Sequence, residues 1–111
     1  MNFLYLNSNE MGHGDPSLGK KLMVAFLLEL AKSDTEIHMV GCLNSAITFT
    51  TAEGDALEAL RLLEHKGARI ATCGTCLDYH GLRDSLLIGE AGNMAQAVSL
   101  LTTADRIIRP N

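Results

Sequence analysis

Three short apolar runs, Phe3–Leu6, Ile37–Leu43 and Ala68–Thr72, recur along the chain with helical patterns between them. No other feature restricts the fold as much. Strands separated by helices of ten or more residues pair in parallel, because each crossover returns the chain to the starting edge of the sheet. The helical stretches are Pro16–Lys32, Glu53–Lys66 and Asn93–Leu101, and a fourth apolar candidate, Arg106–Arg109, closes the sequence. A further short strand is expected at Leu86–Ile88, ahead of Gly89. The pattern predicts one domain over residues 1–111, an α/β fold built as a three-layer α/β/α sandwich.

Local signals agree with this division. Asp15 is placed to cap the first helix, with Pro16 at its first position, where a missing N–H costs nothing. In the middle helix Leu57, Leu60 and Leu63 fall on one stripe, with Ala56, Ala59 and Glu64 beside it. Lys66-Gly67 ends it with a cation in the last turn and a glycine just beyond. The first helix is apolar nearly all round, leaving only Lys20, Lys21, Glu29 and Lys32 for water. One sheet face needs a stripe about 100° wide, so the surplus predicts burial by another subunit and a homo-oligomer.

A chain of 111 residues that is 47% apolar can build its own core without disulfides or a structural metal. A net charge of −4 and the lack of any basic cluster argue against nucleic acid as a partner. Three cysteines, an odd number, do not make a secreted disulfide framework. Retained thiols suit a reducing cytoplasm. The amino terminus lacks the basic region and apolar length of a signal peptide. The longest apolar run, Leu22–Leu28, is too short to span a bilayer, so no membrane is expected.

In parallel sheets the sites gather at the carboxyl ends of strands. The loops at those ends are Asn7–Asp15, Asn44–Ala52 and Cys73–His80, and two strands end alike, in Leu6-Asn7-Ser8 and Leu43-Asn44-Ser45. Cys73-Gly74-Thr75-Cys76 is the sharpest signal. It follows a strand directly and precedes an expected helical turn at Leu77–Leu82. A thiol at a helix start meets free N–H groups that favour thiolate, and a second thiol three residues on can resolve a species formed on the first. The bland alternative is two buried cysteines acting as small hydrophobes.

Other motifs carry less. One Cys-x₂-Cys supplies two of the four ligands a zinc site needs; Cys42, His80 and His13 are conceivable others, yet there is no second paired motif. Gly14-Asp15-Pro16-Ser17-Leu18-Gly19-Lys20-Lys21 has the spacing of a phosphate loop. Its chemistry fails, because Lys21 replaces the Mg²⁺-binding hydroxyl and Asp15 puts an anion where phosphate would sit. His13 and His80 are candidate acid–base partners of a thiol or simply exposed. His38 lies on the side away from the loops, and His65 sits near a helix end. A thioredoxin-type reductase needs a later cis-proline facing its cysteines, and Pro16 and Pro110 are not so placed.

Three strand-end segments together resemble the DsrE-like domain of YedF-type proteins. They are Leu6-Asn7-Ser8 with Met11-Gly12-His13-Gly14-Asp15; Asn44-Ser45-Ala46 with Thr50-Thr51-Ala52-Glu53-Gly54; and Thr72-Cys73-Gly74-Thr75-Cys76-Leu77 with Tyr79-His80-Gly81-Leu82. Gly89–Met94 and Ala104–Arg109 fit the same pattern, so the likeness spans essentially the whole chain. It implies a parallel sheet of about five strands, oligomeric assembly and a role in sulfur relay or selenium metabolism. In the wider group a cysteine after a central strand accepts sulfur as a persulfide, and Cys73 stands at the matching place. YedF-type proteins usually also carry an amino-terminal TusA-like domain with a Cys-Pro motif. That domain is not in this sequence, so the chain is expected to be a stand-alone member or an excised domain, with a TusA-like partner acting in trans.

The resulting expectation is a sulfur or selenium carrier in which Cys73 holds the cargo and Cys76 resolves or releases it. Asn7, Ser8, His13, Asn44 and Ser45 are the candidate cargo-binding residues. No cofactor is called for and no metal site is assigned. Persulfide donor and acceptor proteins are the partners. The competing readings are a non-catalytic oligomeric binding subunit and a metal-binding protein using the same cysteines.

Overall fold

The computed structural model describes all of residues 1–111. Five strands, β1 (Asn2–Leu6), β2 (Met39–Cys42), β3 (Arg69–Cys73), β4 (Glu90–Gly92) and β5 (Arg106–Ile108), form one sheet in the order β4-β3-β2-β1-β5. Every pairing is parallel. The helices are α1 (Pro16–Lys32), α2 (Thr48–Thr51), α3 (Asp55–His65), α4 (Gly74–Tyr79) and α5 (Met94–Thr103). The chain steps from β1 to β4 in one direction, then returns to lay β5 on the free side of β1. Parallel crossovers are right-handed, so the returning connection, α5, lies on the opposite face from α1 and α3. This is the three-layer α/β sandwich that the alternating runs predicted.

The caps work as the residues suggest. Asp15 Oδ1 accepts the Leu18 N–H at 3.0 Å and Pro16 opens α1. Gly19 is wound into that helix and buried against Glu10, which removes the phosphate-loop reading. Lys66, just after α3, donates from Nζ to the carbonyl of Ala31 and, at 3.3 Å, to that of Ser33. Its charge thereby sits at the carboxyl end of α1, where a cation is favourable. Asn93 caps α5 in a reciprocal box, accepting the Gln96 N–H at 2.9 Å while Gln96 Oε1 accepts the Asn93 N–H.

Alternating residues divide the sheet. Leu4, Leu6, Val40, Cys42 and Ile70 pack with Met23, Leu27 and Ala31 of α1 and with Ala56, Leu57, Ala59, Leu60 and Leu63 of α3 into one core. Of the surplus apolar residues of α1, Val24, Phe26, Leu28 and Leu30 pack partly against this core, and Leu18 (55%) and Leu22 (42%) are the large exposed ones.

Two boundaries differ from the sequence reading. Leu86–Ile88 is not a strand: the Leu87 N–H donates to Thr50 O at 2.9 Å and Ile88 is buried, so these residues anchor an irregular crossing. The strand is Glu90–Gly92, displaced by a turn at Gly89. That glycine has φ +67°, and a Cβ there would lie 2.1 Å from the Ile70 carbonyl oxygen, so only glycine passes. The helical turn expected at Leu77–Leu82 starts earlier, at Gly74.

Candidate functional site

The earlier start of α4 decides how the two loop cysteines stand. Cys73 is the last residue of β3 and the N-cap of α4, and its Sγ accepts the Cys76 N–H at 3.4 Å. Cys76 lies inside the helix, and its Sγ accepts the Asn44 N–H at 3.2 Å. Both thiols are free and half-buried. The loops after β2 and β3 are thus joined through a sulfur. Asn44 makes this contact from a left-handed backbone, φ +53°, which asparagine tolerates better than most residues.

Burial pushes the Cys76 thiol above its ordinary range. The Cys73 sulfur raises it further by accepting its hydrogen bond and repelling a second charge, while the Asn44 N–H pulls the other way. The balance of these effects favours the protonated form of Cys76. Cys42, by contrast, is fully buried in the core, and burial pushes it up to about 12. It is a core residue of β2 and chemically quiet.

The loop is held from three sides. Gly74 sits against the Gly92 carbonyl and Arg83, so that an added Cβ would come within 3.0 Å of Gly92 O and 2.9 Å of Arg83 Nη2. Arg83 grips Asp78 with Nε at 2.6 Å and Nη2 at 3.0 Å and also reaches Gly74 O at 3.3 Å. This guanidinium holds the Asp78 carboxyl below the usual range. Just before Cys73, the buried Thr72 hydroxyl meets Thr50 Oγ1 at 2.8 Å, pinning the end of β3 to α2.

The structure brings some of the candidate binding residues to the cysteines and gives others local tasks. Asn44 touches Cys76. Ser45 Oγ accepts the Asn9 N–H at 2.9 Å and so ties the first loop to the second. Ser8 Oγ accepts the Glu10 N–H at 3.0 Å within its own turn. The Asn7 N–H faces Asn111 Oδ1 at 3.5 Å, and Asn111 Nδ2 donates to Ser8 O at 2.7 Å. His13 is exposed in the same loop. No three His, Cys, Asp or Glu side chains converge to hold a metal ion, which leaves the zinc reading without a ligand set. His38 lies at the far end of the sheet, where Nδ1 accepts the Asn2 N–H at 2.9 Å.

A cleft opens at Cys73, and a second, lined by neither loop cysteine, lies along the loop after β2. The first, an apolar one of about 40 Å³ between the sheet and α5, is lined by Cys73, Phe3, Met39, Ala71, Met94 and Leu100 among others. That space admits about three water-sized atoms, since a single water needs roughly 10–15 Å³ by the same measure. The other, about 220 Å³, is lined by Asn44, Ser45, Ile47, Thr48, His80 and Leu82. Sequence reasoning missed Thr50, Gly74 and Arg83 as supports. A polar Thr72 next to the apolar Ile70 and Ala71 was the one available signal.

No family model matches the sequence, and no curated protein matches it. Solved structures do. The chain is similar to the ychN protein from E. coli, with 18% identity, a TM-score of 0.66 and 97% of each chain covered. It is also similar to MTH1491 of Methanobacterium thermoautotrophicum, a protein of unknown function, with 17% identity, a TM-score of 0.69 and coverage of 98% of this chain and 97% of that one. The shared architecture is the DsrE-like fold. No helix is long and apolar enough to cross a membrane.

Proposed function

We propose that this chain is a sulfur or selenium carrier that holds its cargo as a persulfide, or its selenium analogue, on Cys73. One observation carries the reading: two free, partly accessible thiols are hydrogen-bonded into one loop at the carboxyl end of β3, while the third thiol is buried. In the loading step the Cys73 thiolate attacks the outer sulfur of a donor persulfide. The donor S–S bond breaks, the donor leaves as thiolate, and Cys73 becomes the persulfide with no net oxidation. The narrow apolar cleft at Cys73 suits a cargo of one atom better than an organic group.

The sequence likeness to YedF-type proteins supports a TusA-like protein as donor or acceptor and a cytoplasmic setting. The exposed apolar residues of α1 and α5, including Met94 (60%) and Val98 (53%), support assembly with further copies. Mass spectrometry after incubation with inorganic polysulfide tests the carrier. The native protein is expected to gain one sulfur atom and Cys73→Ser none. A native protein that gains nothing, or a variant that gains as much, removes the assignment.

A further inference from the structure

The two loop cysteines face different surroundings. The apolar cleft of about 40 Å³ between the sheet and α5 is lined by Cys73 but by neither Cys76 nor Asn44. Cys76 is turned to the loop after β2, where its sulfur accepts the Asn44 N–H at 3.2 Å. The Cys73 sulfur stands between the cleft and Cys76. It accepts the Cys76 N–H at 3.4 Å, and the two thiols are close enough to share a hydrogen bond. Cys73 caps α4 and Cys76 is the third residue of that helix. Side chains so spaced are neighbours, with Cβ atoms about 5–6 Å apart. A disulfide needs about 3.5–4.5 Å, so a small adjustment of the first turn of α4 closes the pair. A cargo atom on Cys73 therefore has two distinct sulfurs: an outer one taken into the cleft and an inner one left against Cys76.

Resting on the carrier reading above, we propose that Cys76 unloads Cys73 by attacking the inner sulfur, so that the loop reduces persulfide sulfur to hydrogen sulfide and closes a Cys73–Cys76 disulfide. The Cys76 sulfur bonds to Cys73 Sγ as the bond from Cys73 Sγ to the outer sulfur breaks. The electron pair of the broken bond leaves with the outer sulfur. That atom keeps its own proton, gains the one given up by Cys76, and departs as hydrogen sulfide. The outer sulfur is reduced and the two cysteines are oxidised, so no outside oxidant takes part. A small dithiol reductant then returns the pair to thiols for another cycle. Two features favour this route over passage of the outer sulfur to Cys76. The inner sulfur is the atom that Cys76 touches, whereas the cleft is not lined by Cys76. Hydrosulfide also leaves more readily than an alkyl thiolate, because it is the conjugate base of the stronger acid, and its neutral form suits an apolar cleft of this size. The thiol form favoured at Cys76 is the weaker nucleophile, so the cargo stays on Cys73 long enough to be seen before it is discharged.

The test separates loading from discharge. Native protein and Cys76→Ser are loaded with inorganic polysulfide in the absence of oxygen and freed of excess. Hydrogen sulfide is then trapped with a bimane while the protein is followed by mass spectrometry. The loaded native protein is expected to lose its added sulfur and to end lighter than the reduced protein by two hydrogens, with Cys73 and Cys76 joined in the peptide map. Hydrogen sulfide and disulfide are expected in equal amounts. Release, counted per sulfur loaded, is expected to be at least about a hundredfold slower in Cys76→Ser, because a thiol held beside the inner sulfur outpaces any reaction between molecules. Treatment with dithiothreitol, its removal, and fresh polysulfide are expected to give a second round. Loaded native protein that keeps its sulfur, or that releases it without forming the disulfide, overturns the discharge. So does native-rate release from Cys76→Ser, or a Cys76→Ser protein that takes up no sulfur. In all four cases the loading of the native protein leaves the carrier reading standing. A native protein that yields neither a sulfur adduct nor hydrogen sulfide with the disulfide overturns the carrier reading and the discharge with it.

Discussion

The two faces of the sheet are built to different depths. On one, Leu4, Leu6, Val40, Cys42 and Ile70 meet two long helices in a continuous core. On the other, Phe3 is buried, but Tyr5, Met39, Ala71 and Cys73 are only half-covered, and α5 buries none of its residues. Adjacent residues of β3 therefore serve opposite purposes. Thr72 belongs to the deep side and fixes the strand; Cys73 belongs to the shallow side and is open to chemistry. A reactive thiol needs access and a fixed position at once, and one strand supplies both by alternation.

The largest expected effect comes from cutting into the deep side. Leu60→Ala or Leu27→Ala, both fully buried, is expected to cost about 2–5 kcal/mol by denaturant unfolding. Val98→Ala on α5 is expected to cost less than about 0.5 kcal/mol in a monomer, as at other exposed positions. A Val98→Ala loss close to that of Leu60→Ala breaks the comparison and shows that another surface covers α5 in solution.

The buried thiol gives the next effect. Cys42 is raised by burial from the ordinary 9.0 to about 12. Above pH 9 the unfolded chain ionises this thiol and the folded chain does not, so the unfolded state gains. Stability is accordingly unaffected by Cys42 below pH 9 and falls by about 1.4 kcal/mol per pH unit above it. Cys42→Ala is expected to lower stability by a constant offset while removing that part of the alkaline slope. Equal slopes in the two proteins mean that water reaches Cys42, and that the deep side is less sealed than the packing shows.

Much of this division was legible in the residues. The capped ends of α1 and α3 and the apolar runs of β1, β2 and β3 are local signals, and they fell within two residues of the observed bounds. The misplaced fourth strand has a physical reason. Glu90-Ala91-Gly92 is an edge strand with no buried residue, so it carries no apolar pattern, whereas Leu86-Leu87-Ile88 does because Ile88 must be buried in a crossing segment. The cysteine loop was visible as a motif. What its spacing could not tell was that α4 begins at Gly74, making Cys73 a cap and Cys76 an interior helical residue. Nor could it tell that Asn44, 32 residues earlier, would reach Cys76. That contact depends on β2 and β3 being neighbours, which is a property of the sheet and not of either segment.

The smallest effect concerns the joint between the two sides. Thr50 Oγ1 donates to Ile47 O at 3.2 Å, which commits its proton. The bond to Thr72 must then run from the Thr72 hydroxyl to Thr50 Oγ1. The two substitutions are accordingly unequal. Thr72→Val removes one donor and leaves Thr50 still bonded, at a cost of about 0.5–1.5 kcal/mol. Thr50→Val strands a buried Thr72 hydroxyl and is expected to cost about 1–3 kcal/mol, with the double variant losing less than the sum. Denaturant midpoints of the three variants check this order. Equal single losses reverse the donor assignment or show that another group takes up the Thr72 proton. Alkylation of Cys73, followed in the same variants, then tells whether anchoring on the deep side is what holds the thiol in place on the shallow one.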